Sequence, residues 1–295
     1  MKLKHLEIFH AIMLTGTLSG AARLLHQSQP AATQTLQLAE LQLGYALFTR
    51  QKNRLVPTAE AQVLYPEVQK LISQLEAVRR LANAQKSGVA APLRILVVPS
   101  LAVMQLPLAL RLLRARHPLL ALSIRTLHSR EIVQALSLHE ADVGIVYGTQ
   151  APAGLEAHAI ASGRLVCVSP EGVGRSAPAG PVTLAEVVRQ PFIRIDERDP
   201  LGALLAEQCA RHGLQPGNQI VVQTHHTALV LAEQGFGPAV IDSFTAAARQ
   251  APGLRVQPIE PEVRVGLYAL QAPGTRSPRV VATFIESFAS AVAGS

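Results

Sequence analysis

The stretch that decides the fold runs from Thr17 to Gly44 and reads TLSGAARLLHQSQPAATQTLQLAELQLG. Its first part predicts a short helix over Gly20–Leu25, for which Thr17 or Ser19 supplies a cap. The next two residues, His26-Gln27, predict a tight turn into a second helix. Two short helices separated by so few residues indicate a helix-turn-helix.

The second helix of this pair begins at a strong start signal. Ser28 is a good N-cap, and Pro30 falls in the first turn, where its missing N–H costs nothing. The helix runs to about Leu43 and ends at Gly44. Apolar residues at helical spacing form its buried face: Ala32, Leu36, Ala39 and Leu43.

Polar side chains occupy the other side of this helix: Gln29, Thr33, Gln34 and Gln37. A glutamine amide pairs with two adenine atoms in the major groove, and threonine offers a hydroxyl and a methyl group to thymine. Any surface helix has a solvated polar face, so these residues alone do not decide for DNA. Their place on the second helix of a helix-turn-helix favours a DNA-reading face.

Residues 47–58 predict a small β-hairpin, the wing. Two apolar pairs, Leu47-Phe48 and Leu55-Val56, flank a polar tip that carries Arg50, Lys52 and Arg54. These cations suit contacts with DNA phosphates.

A long helix is predicted from Thr58, with Pro66 bending it or resetting its start. Apolar residues follow a four-three spacing along it: Leu64, Val68, Leu71, Leu75, Val78 and Ala82. This spacing is typical of a coiled-coil seam and predicts dimerisation along the helix. Packing of the seam on the body of the same chain stays open as an alternative.

The remaining chain predicts an α/β domain. Residues 86–92 lack periodicity and indicate a linker, after which strand and helix patterns alternate to the end. Strands are predicted over 93–98, 121–127, 143–147, 165–169, 192–195, 219–223, 239–241 and 265–270, and helices over 101–116, 131–139, 184–189, 201–212, 227–234 and 278–291. The alternation favours a mainly parallel sheet in two lobes, with a cleft for a small ligand between them.

Charge is concentrated at the N-terminal end. The chain has 295 residues and a net charge of +7, of which residues 1–89 carry +5. An excess of this kind is expected where a domain meets a polyanion. Apolar stretches such as Leu93–Val98 are too short for a membrane span, and polar residues behind Met1-Lys2 interrupt any signal core, so we expect a cytoplasmic protein.

Neither cysteine nor histidine spacing predicts a metal site or a cofactor. Cys167 and Cys209 lie apart without a CxxC pattern, which favours two reduced thiols, with a redox-sensing pair as the alternative. His225-His226 with Asp242 downstream has no third or fourth ligand at a suitable spacing, and adjacent residues on a strand would point to opposite faces. No nucleophile elbow, P-loop or dinucleotide fingerprint predicts a catalytic residue.

These features together resemble the LysR-type transcriptional regulators. The N-terminal resemblance is carried by Leu6, Phe9, Gly16, Ala21-Ala22, Leu25, Ser28-Gln29-Pro30-Ala31, Glu40, Leu43-Gly44, Leu47-Phe48, Arg50 and Thr58. Looser matches follow at His117-Pro118, Asp142-Val143-Gly144-Ile145, Pro191-Phe192-Ile193 and Gly235-Phe236-Gly237. The segment 241–246 looks like one found in members that sense amino acids or opines.

The resemblance implies two sets of site residues. The expected DNA contacts are Ser19, Ser28, Gln29, Pro30, Thr33, Gln34, Gln37, Arg50, Lys52 and Arg54. The expected effector contacts, at strand ends and helix N-termini between the lobes, are Ser100, Ser129, Tyr147, Arg198, Asp199 and Thr224. Hydroxyls and free helix N–H groups suit a carboxylate, and Asp199 could hold an amine.

The chain departs from the family in one respect that bears on DNA binding. Members often carry lysine or arginine on the second helix of the motif, whereas neither occurs here between Leu24 and Thr49. More of the phosphate contact should therefore fall on the cations of the wing.

The resulting hypothesis has three domains: residues 1–58 as an all-α winged helix-turn-helix, 59–86 as a long linker and dimerisation helix, and 87–295 as a two-lobed, periplasmic-binding-protein-like α/β effector domain. Lobe I is expected to comprise 92–163 and 268–295, and lobe II 164–267. The implied function is transcription regulation through double-stranded DNA, modulated by a small carboxylate or amino-acid-like effector.

The implied partners beyond DNA and effector are RNA polymerase and further copies of the chain, as a homodimer or homotetramer, without a membrane. Two other protein classes stay open on the residues alone. One is a two-lobed solute-binding protein without a transcriptional role, which the helix-turn-helix opposes. The other is an α/β enzyme with an unrecognised site.

Overall fold

A computed structural model describes residues 1–51, 54–87, 91–148, 154–170, 180–217, 219–248, 253–274 and 277–294. The chain folds as two compact units, Met1–Val89 and Ala90–Ser295. We refer to them as the N-terminal unit and the C-terminal unit. No helix among the described residues is both long and apolar enough to cross a membrane.

The N-terminal unit is a winged helix-turn-helix with one long helix. Its elements are α1 (Leu3–Thr15), α2 (Leu18–Leu24), α3 (Gln29–Leu43), β1 (Phe48–Gln51), β2 (Arg54–Pro57) and α4 (Ala59–Ser87). The predicted helix-turn-helix is confirmed in α2 and α3. Helix α2 begins two residues before the predicted start because Thr17 is its cap and accepts a hydrogen bond from the Gly20 N–H at 3.1 Å.

The core of the N-terminal unit joins the three short helices to the wing and to the start of α4. The Phe9 ring packs edge-on against Phe48 at 5.7 Å and against Tyr65 at 5.9 Å between ring centroids. Thr58 caps α4 by accepting a hydrogen bond from the Ala61 N–H at 3.2 Å. These contacts hold the wing and the head of α4 to α1.

The predicted seam on α4 has two parts with different surroundings. Near its start, Leu64 and Val68 pack into the core of the N-terminal unit, together with Ile72. Further along, Leu71 is 44% exposed and Val78 is 61% exposed. Packing within the chain, the alternative left open by the sequence, therefore accounts for the first part of the seam, and the second part faces outward.

The C-terminal unit is an α/β domain. Its elements are β3 (Leu93–Val97), α5 (Pro99–Ala102), α6 (Gln105–Arg116), β4 (Leu122–Thr126), α7 (Ser129–Ser137), β5 (Val143–Gly148), β6 (Glu156–Pro170), β7 (Val182–Thr183), α8 (Leu184–Arg189), β8 (Phe192–Ile195), α9 (Pro200–Arg211), β9 (Gln219–Val222), α10 (His225–Glu233), β10 (Ala239–Asp242), α11 (Ser243–Ala248), β11 (Leu254–Glu260), β12 (Arg264–Gln271) and α12 (Pro278–Ala293).

Two long strands connect the lobes of this unit. The main sheet order is β4-β3-β5-β12-β6-β10-β8-β9, with β11 also pairing β6. Strand β6 pairs with β12 up to Arg164 and with β10 from Leu165 onward. Strand β12 pairs with β6 from Arg264 and with β5 from Gly266. The outer strand pairs are parallel, as predicted, but the connecting strands are antiparallel, so the sheet is mixed.

The structure differs from the local predictions in several places. The predicted helix 101–116 is broken into α5 and α6, because Pro107 lacks an N–H and its ring opposes the carbonyl of Val103 in a continuous helix. Strand β6 is three times as long as its predicted segment, since pairing with β12 extends it through a stretch of small and polar residues. Strands β7 and β11 and helix α11 have no counterpart among the predicted elements.

Candidate functional site

The exposed side of α3 is built as the sequence predicts. Ala32, Leu36 and Ala39 are buried, whereas Gln34 and Gln37 are exposed. Gln29 and Pro30 are exposed at the start of the same helix. The structure therefore presents a polar helix face at the position of the reading helix.

Thr33 is half-buried on this helix. Its hydroxyl donates a hydrogen bond to the Gln29 carbonyl oxygen at 2.9 Å. The hydroxyl hydrogen is therefore engaged by the backbone, which leaves the methyl group as the part of Thr33 that can meet a thymine methyl.

The two serines of the motif have different roles. Ser28 is the N-cap of α3, as predicted, and accepts a hydrogen bond from the Ala31 N–H at 3.4 Å. Ser19 is exposed in the first turn of α2 and does not cap it, because Thr17 holds that position. Both serines lie at helix N-termini, where free N–H groups favour an anion.

The wing is a two-stranded antiparallel hairpin in which Gln51 faces Arg54. Arg50 on β1 and Arg54 on β2 are exposed. Lys52, at the tip, lies outside the described residues. The wing therefore brings two of the three predicted cations to its surface.

Glu40 of α3 holds the root of the wing, a role that sequence reasoning missed. One oxygen of its carboxylate accepts hydrogen bonds from the Leu47 N–H at 2.7 Å and from the Phe48 N–H at 3.2 Å. A buried strand start needs partners for its N–H groups, and here the reading helix supplies them. The wing is thus anchored directly to α3.

In the C-terminal unit, a cleft of about 380 Å³ lies between the two lobes. Its lining residues from lobe I are His128, Arg130 and Glu131, and those from lobe II are Asp196, Arg198, Asp199 and Gln223. The lining residues sit at the N-terminal end of α7, before α9 and before α10. Polar groups at helix N-termini around a concave site suit a small anionic or zwitterionic ligand.

Two of the predicted effector residues, Arg198 and Asp199, line this cleft. The Arg198 guanidinium binds Asp196 through two hydrogen bonds of 2.8 and 3.1 Å, and these lower the pKa of Asp196 to about 2. Asp199 caps α9, with one carboxylate oxygen accepting a hydrogen bond from the Leu201 N–H at 2.9 Å. Arg198 is therefore engaged within lobe II, whereas Asp199 presents a carboxylate to the cleft.

Ser129 and Thr224 lie beside residues of the lining. The Ser129 hydroxyl is buried and has no hydrogen-bond partner within the described part of the chain. Thr224 is the N-cap of α10 and accepts a hydrogen bond from the Thr227 N–H at 3.1 Å. Ser129 is thus free to bind an additional group, whereas Thr224 already serves its helix.

Ser100 and Tyr147 lie in a buried contact between the lobes. The Ser100 hydroxyl donates to the Tyr147 hydroxyl at 3.2 Å. The Tyr147 ring stacks on Phe244 of lobe II at 6.3 Å and lies 6.0 Å from the His225 ring. Burial, with the nearby Asp242 carboxylate, raises the pKa of Tyr147 well above its usual value, so its hydroxyl stays neutral.

His225 and Asp242, which the sequence suggested only as metal ligands, adjoin Tyr147. His225 and His226 start helix α10 and do not lie on a strand, because Thr224 caps the helix there. Asp242, at the end of β10, is completely buried and lies 3.1 Å from the His225 Nδ1 atom. The signal was present in the pattern, since Asp242 ends a buried strand, where parallel sheets place ligand-binding residues.

Neither a metal centre nor a reactive thiol emerges from the described residues. No group of histidine, cysteine and carboxylate side chains there is arranged to hold a metal ion. Cys167 and Cys209 are both buried, and burial raises the pKa of Cys167 to about 12 and also raises that of Cys209. Thiols of this kind are protonated at neutral pH, which favours structural cysteines over a redox pair.

Two family models cover most of the chain. Residues 3–62 match the model described as a bacterial regulatory helix-turn-helix protein of the lysR family. Residues 86–293 match the model described as the LysR substrate binding domain.

Curated relatives match along most of their length. The chain is 32% identical over 292 residues to the HTH-type transcriptional regulator DgcR of a Pseudoalteromonas species, covering 99% of this chain and 100% of that protein. Over 265 residues it is 31% identical to the transcriptional activator protein LysR of Escherichia coli K12, covering 87% and 82%. Over 290 residues it is 29% identical to the octopine catabolism/uptake operon regulatory protein OccR of Rhizobium meliloti, covering 98% and 96%.

Solved structures share the fold. The crystal structure of CbnR, a LysR family transcriptional regulator, matches with a TM-score of 0.65 at 21% identity, covering 99% of both chains. The structure of full-length CbnR with its target DNA matches with a TM-score of 0.64 at 21% identity, covering 99% of this chain and 100% of that one.

Proposed function

This chain belongs to the LysR family of DNA-binding transcription regulators, and we propose that a small carboxylate or amino-acid-like effector, bound between its lobes, sets its activity on DNA. Regulators of this family bind DNA and small-molecule effectors, form oligomers and are not enzymes. The observation that carries the proposal about the effector is the interlobe cleft, whose lining is charged and polar on both sides.

On the DNA side, α3 enters the major groove. Gln34 and Gln37 contact base edges, and Thr33 offers its methyl group, with Gln29 and Pro30 at the helix start. Arg50, Lys52 and Arg54 of the wing, together with Ser19 and Ser28, contact phosphates. The anchoring of the wing by Glu40 supports this arrangement, because the helix and the wing then meet the duplex as one piece.

On the effector side, the free Ser129 hydroxyl and the N-terminus of α7 bind a carboxylate. Asp199 holds an amine, and Arg198 and Thr224 frame the cleft. Ser100 and Tyr147 support its inner wall. The similarity to a regulator named for octopine, and to other regulators of this family, supports an effector of amino-acid character.

Assembly and location complete the proposal. The exposed part of the α4 seam pairs two chains, as a homodimer or within a homotetramer. The regulator acts in the cytoplasm, where its DNA and RNA polymerase are. The effector shifts the arrangement of the subunits, and thereby the bending of DNA and the contact with polymerase.

Fluorescence anisotropy with the intergenic DNA upstream of the protein's own gene tests DNA reading. At near-physiological salt, we expect this duplex to bind at least about 10³-fold more tightly than a shuffled one. The double variant Gln34→Ala, Gln37→Ala should lose at least about tenfold, because each amide contact contributes about 1–3 kcal/mol of base discrimination.

Gln62→Ala is the matched control, since Gln62 is an exposed glutamine on α4, outside the reading face. It should bind like the wild type. Equal binding of the native and shuffled duplexes by the wild-type protein would contradict the proposed operator or the proposed reading face. Selection from a random duplex library separates these two explanations.

A further inference from the structure

A buried group of three ionisable side chains lies against the cleft: Asp199, His225 and Asp242, which we call the carboxylate cluster. Asp242 is 0% exposed, His225 is 3% exposed and Asp199 is 7% exposed. Asp199 belongs to the lining of the cleft, and His225 and Asp242 lie behind it. The cluster therefore places charge where an effector would meet lobe II.

Asp242 is held firmly by the protein. One of its carboxylate oxygens accepts a hydrogen bond from the Thr245 N–H at 2.7 Å, and the other accepts one from the Thr245 hydroxyl at 2.6 Å. Hydrogen bonds of this kind stabilise the ionised carboxylate. The Asp242 carboxylate is thus held in a fixed position behind His225.

The Nδ1 atom of His225 has a suitable partner in either protonation state. The Asp242 N–H lies 3.1 Å away and donates to Nδ1 when that atom carries no proton. A carboxylate oxygen of Asp242 also lies 3.1 Å away and accepts from Nδ1 when the imidazole is charged. A donor and an acceptor at one ring atom allow the ring to gain and lose a proton without leaving Nδ1 unpaired.

The other ring nitrogen of His225 points to the cleft side of the cluster. Nε2 is buried, has no hydrogen-bond partner in the described residues, and lies 3.8 Å from a carboxylate oxygen of Asp199. That separation is too long for a hydrogen bond. An unpartnered buried nitrogen beside a carboxylate that lines a cleft indicates that the arrangement is completed by another molecule.

Charge is unbalanced in the cluster. Within the described residues, His225 is the basic side chain within ion-pair distance of Asp199 or Asp242. Two carboxylates thus face at most one positive charge, and burying an unpaired charge is costly. A cationic group in the cleft next to Asp199 would remove this imbalance.

Lobe I carries charges of both signs in the lining, Arg130 and Glu131, and the Glu131 carboxylate is already engaged by the His128 N–H at 2.9 Å. Arg130 lines the cleft and forms no ion pair within the described part of the chain. The neighbouring Ser129 hydroxyl is 4% exposed and unpartnered there. A carboxylate suits these two groups and the N-terminus of α7. A zwitterion with a carboxylate toward lobe I and an ammonium group toward lobe II would complement both.

We propose that the effector carries a protonated amino group that binds Asp199, and that His225 releases its proton to the solvent as this group enters. This inference rests on the proposed function. The ammonium group replaces the imidazolium charge beside Asp199, so the charge within the site is the same before and after binding, and the released proton carries one positive charge to the solvent. The proton leaves Nε2, which then accepts a hydrogen bond from the ammonium group, while the Nδ1–H continues to donate to the Asp242 carboxylate.

The electrostatics of His225 support this exchange. Burial alone lowers the pKa of His225, but Asp242 and then Asp199 outweigh burial, so the pKa lies above its ordinary value. Among the elements packed on α10, β5 adds Tyr147, β6 carries Glu156, His158, Arg164 and Cys167, and β8 carries Arg194. Helices α5 and α11 and strand β9 carry no titratable side chain, and α10 itself carries the half-buried His226 and Glu233.

The direction of the pH dependence follows from the exchange. A bound cation beside Asp199 lowers the pKa of His225 relative to the free protein, so binding releases a proton. Effector affinity is then constant above the pKa of His225 in the free protein and falls by up to about tenfold for each pH unit below it.

The first experiment finds a probe with the full-length wild-type protein. Thermal shift is measured with the standard L-amino acids, their D-enantiomers and octopine, each beside the 2-hydroxy acid or other analogue that lacks the amino group. We expect amino compounds to raise the melting temperature of the protein. Their analogues should bind at least about tenfold more weakly and therefore raise it less at the same concentration. Equal stabilisation by both overturns amine recognition and leaves carboxylate binding standing.

The second experiment counts protons by calorimetry with the tightest-binding amino compound of that panel. At each pH from about 5.5 to about 8.5, titrations in two buffers that work at that pH and differ in ionisation enthalpy give the number of protons released. We expect release to approach about one proton at the acidic end. Tight binding of the amino compound without proton release overturns this inference while the proposed function stands.

Variants identify the groups responsible. His225→Gln should abolish the proton release and keep the affinity for the amino compound within about tenfold of the wild type. Asp199→Asn should weaken binding of the amino compound at least about 100-fold and leave binding of its analogue unchanged. His226→Gln, a change on the same helix outside the cluster, should behave like the wild type. If no compound of the panel shifts melting, the effector class under the proposed function is wrong and this inference falls with it.

Discussion

Asp199 combines two roles in one side chain. Its carboxylate accepts the Leu201 N–H and so fixes the start of α9, and the same carboxylate lines the cleft. Because this hydrogen bond ties the Asp199 carboxylate to the backbone of α9, the position of the carboxylate in the cleft depends on how closely α9 approaches the preceding loop. The residue that sets this approach is Gly202, which follows the capped position.

Gly202→Ala should destabilise the C-terminal unit and displace Asp199. A Cβ atom at this position would overlap the Asp196 carbonyl oxygen and lie 2.7 Å from the Ile195 carbonyl oxygen. Backbone atoms cannot turn away as side chains do, so α9 must shift, at a cost of about 1–3 kcal/mol. We expect the melting temperature of the full-length protein to fall by about 5 °C.

The matched control for this change is Gly294→Ala, where the added Cβ would lie at an ordinary 3.5 Å from the Ser290 carbonyl oxygen. This variant should have the same melting temperature as the wild type. A Gly202→Ala protein that melts within about 1 °C of the wild type would show that α9 accommodates a Cβ atom at this position, contrary to the prediction.

At the scale of elements, α4 shows how one apolar pattern serves two partners. Leu64, Val68 and Ile72 follow a four-residue spacing and pack into the N-terminal unit. Leu71 and Val78 follow Leu64 at seven-residue spacing along the same seam, but they are exposed. Burying exposed side chains of this size contributes about 1.5–3 kcal/mol each, which favours pairing with a second copy.

The double variant Leu71→Glu, Val78→Glu should therefore dissociate the oligomer. Four like charges would face each other across a paired seam, while the buried part of α4 stays intact. Light scattering coupled to size-exclusion chromatography measures the mass, which we expect to fall to that of a smaller species. The double variant Gln62→Glu, Val63→Glu adds the same number of carboxylates at exposed positions outside the seam and should keep the wild-type mass.

An unchanged mass for the seam variant, with normal melting, would mean that another surface assembles the protein. The assignment of α4 as a dimerisation helix would then be wrong.

For the whole molecule, function requires that the cleft and the DNA-binding face influence each other. The two long strands β6 and β12 connect the lobes, and Tyr147 stacks on Phe244 across them, so a ligand between the lobes acts on a continuous sheet. Any influence of the effector on DNA affinity must be matched by an equal influence of DNA on effector affinity.

We expect the affinity for the amino compound selected above to differ by about 5- to 150-fold between free and operator-bound protein, measured by calorimetry at one salt concentration. Operator affinity, measured with and without this compound, should change by the same factor. Asp199→Asn should lose both effects together. Equal effector affinity in the two states would contradict regulation by this ligand.

The fold of the N-terminal unit could be predicted from the sequence in detail. Ser28 caps α3, Pro30 occupies its first turn and Gly44 ends it, as predicted. Each of these signals acts within a few residues, so the sequence alone determines it. The family and the two-lobed α/β architecture were confirmed for a similar reason, because hydrophobic periodicity and motif spacing are local patterns.

The carboxylate cluster was decided by tertiary structure. Asp199, His225 and Asp242 are separated by 26 and 17 positions in the chain. Taken alone, each has an ordinary structural role, as a helix cap, the start of a helix or the end of a strand. Only the pairing of strands β6, β8 and β10 brings β10 and the starts of α9 and α10 together. A pKa depends on burial and on charges a few ångströms away, and neither is encoded at one position of the sequence.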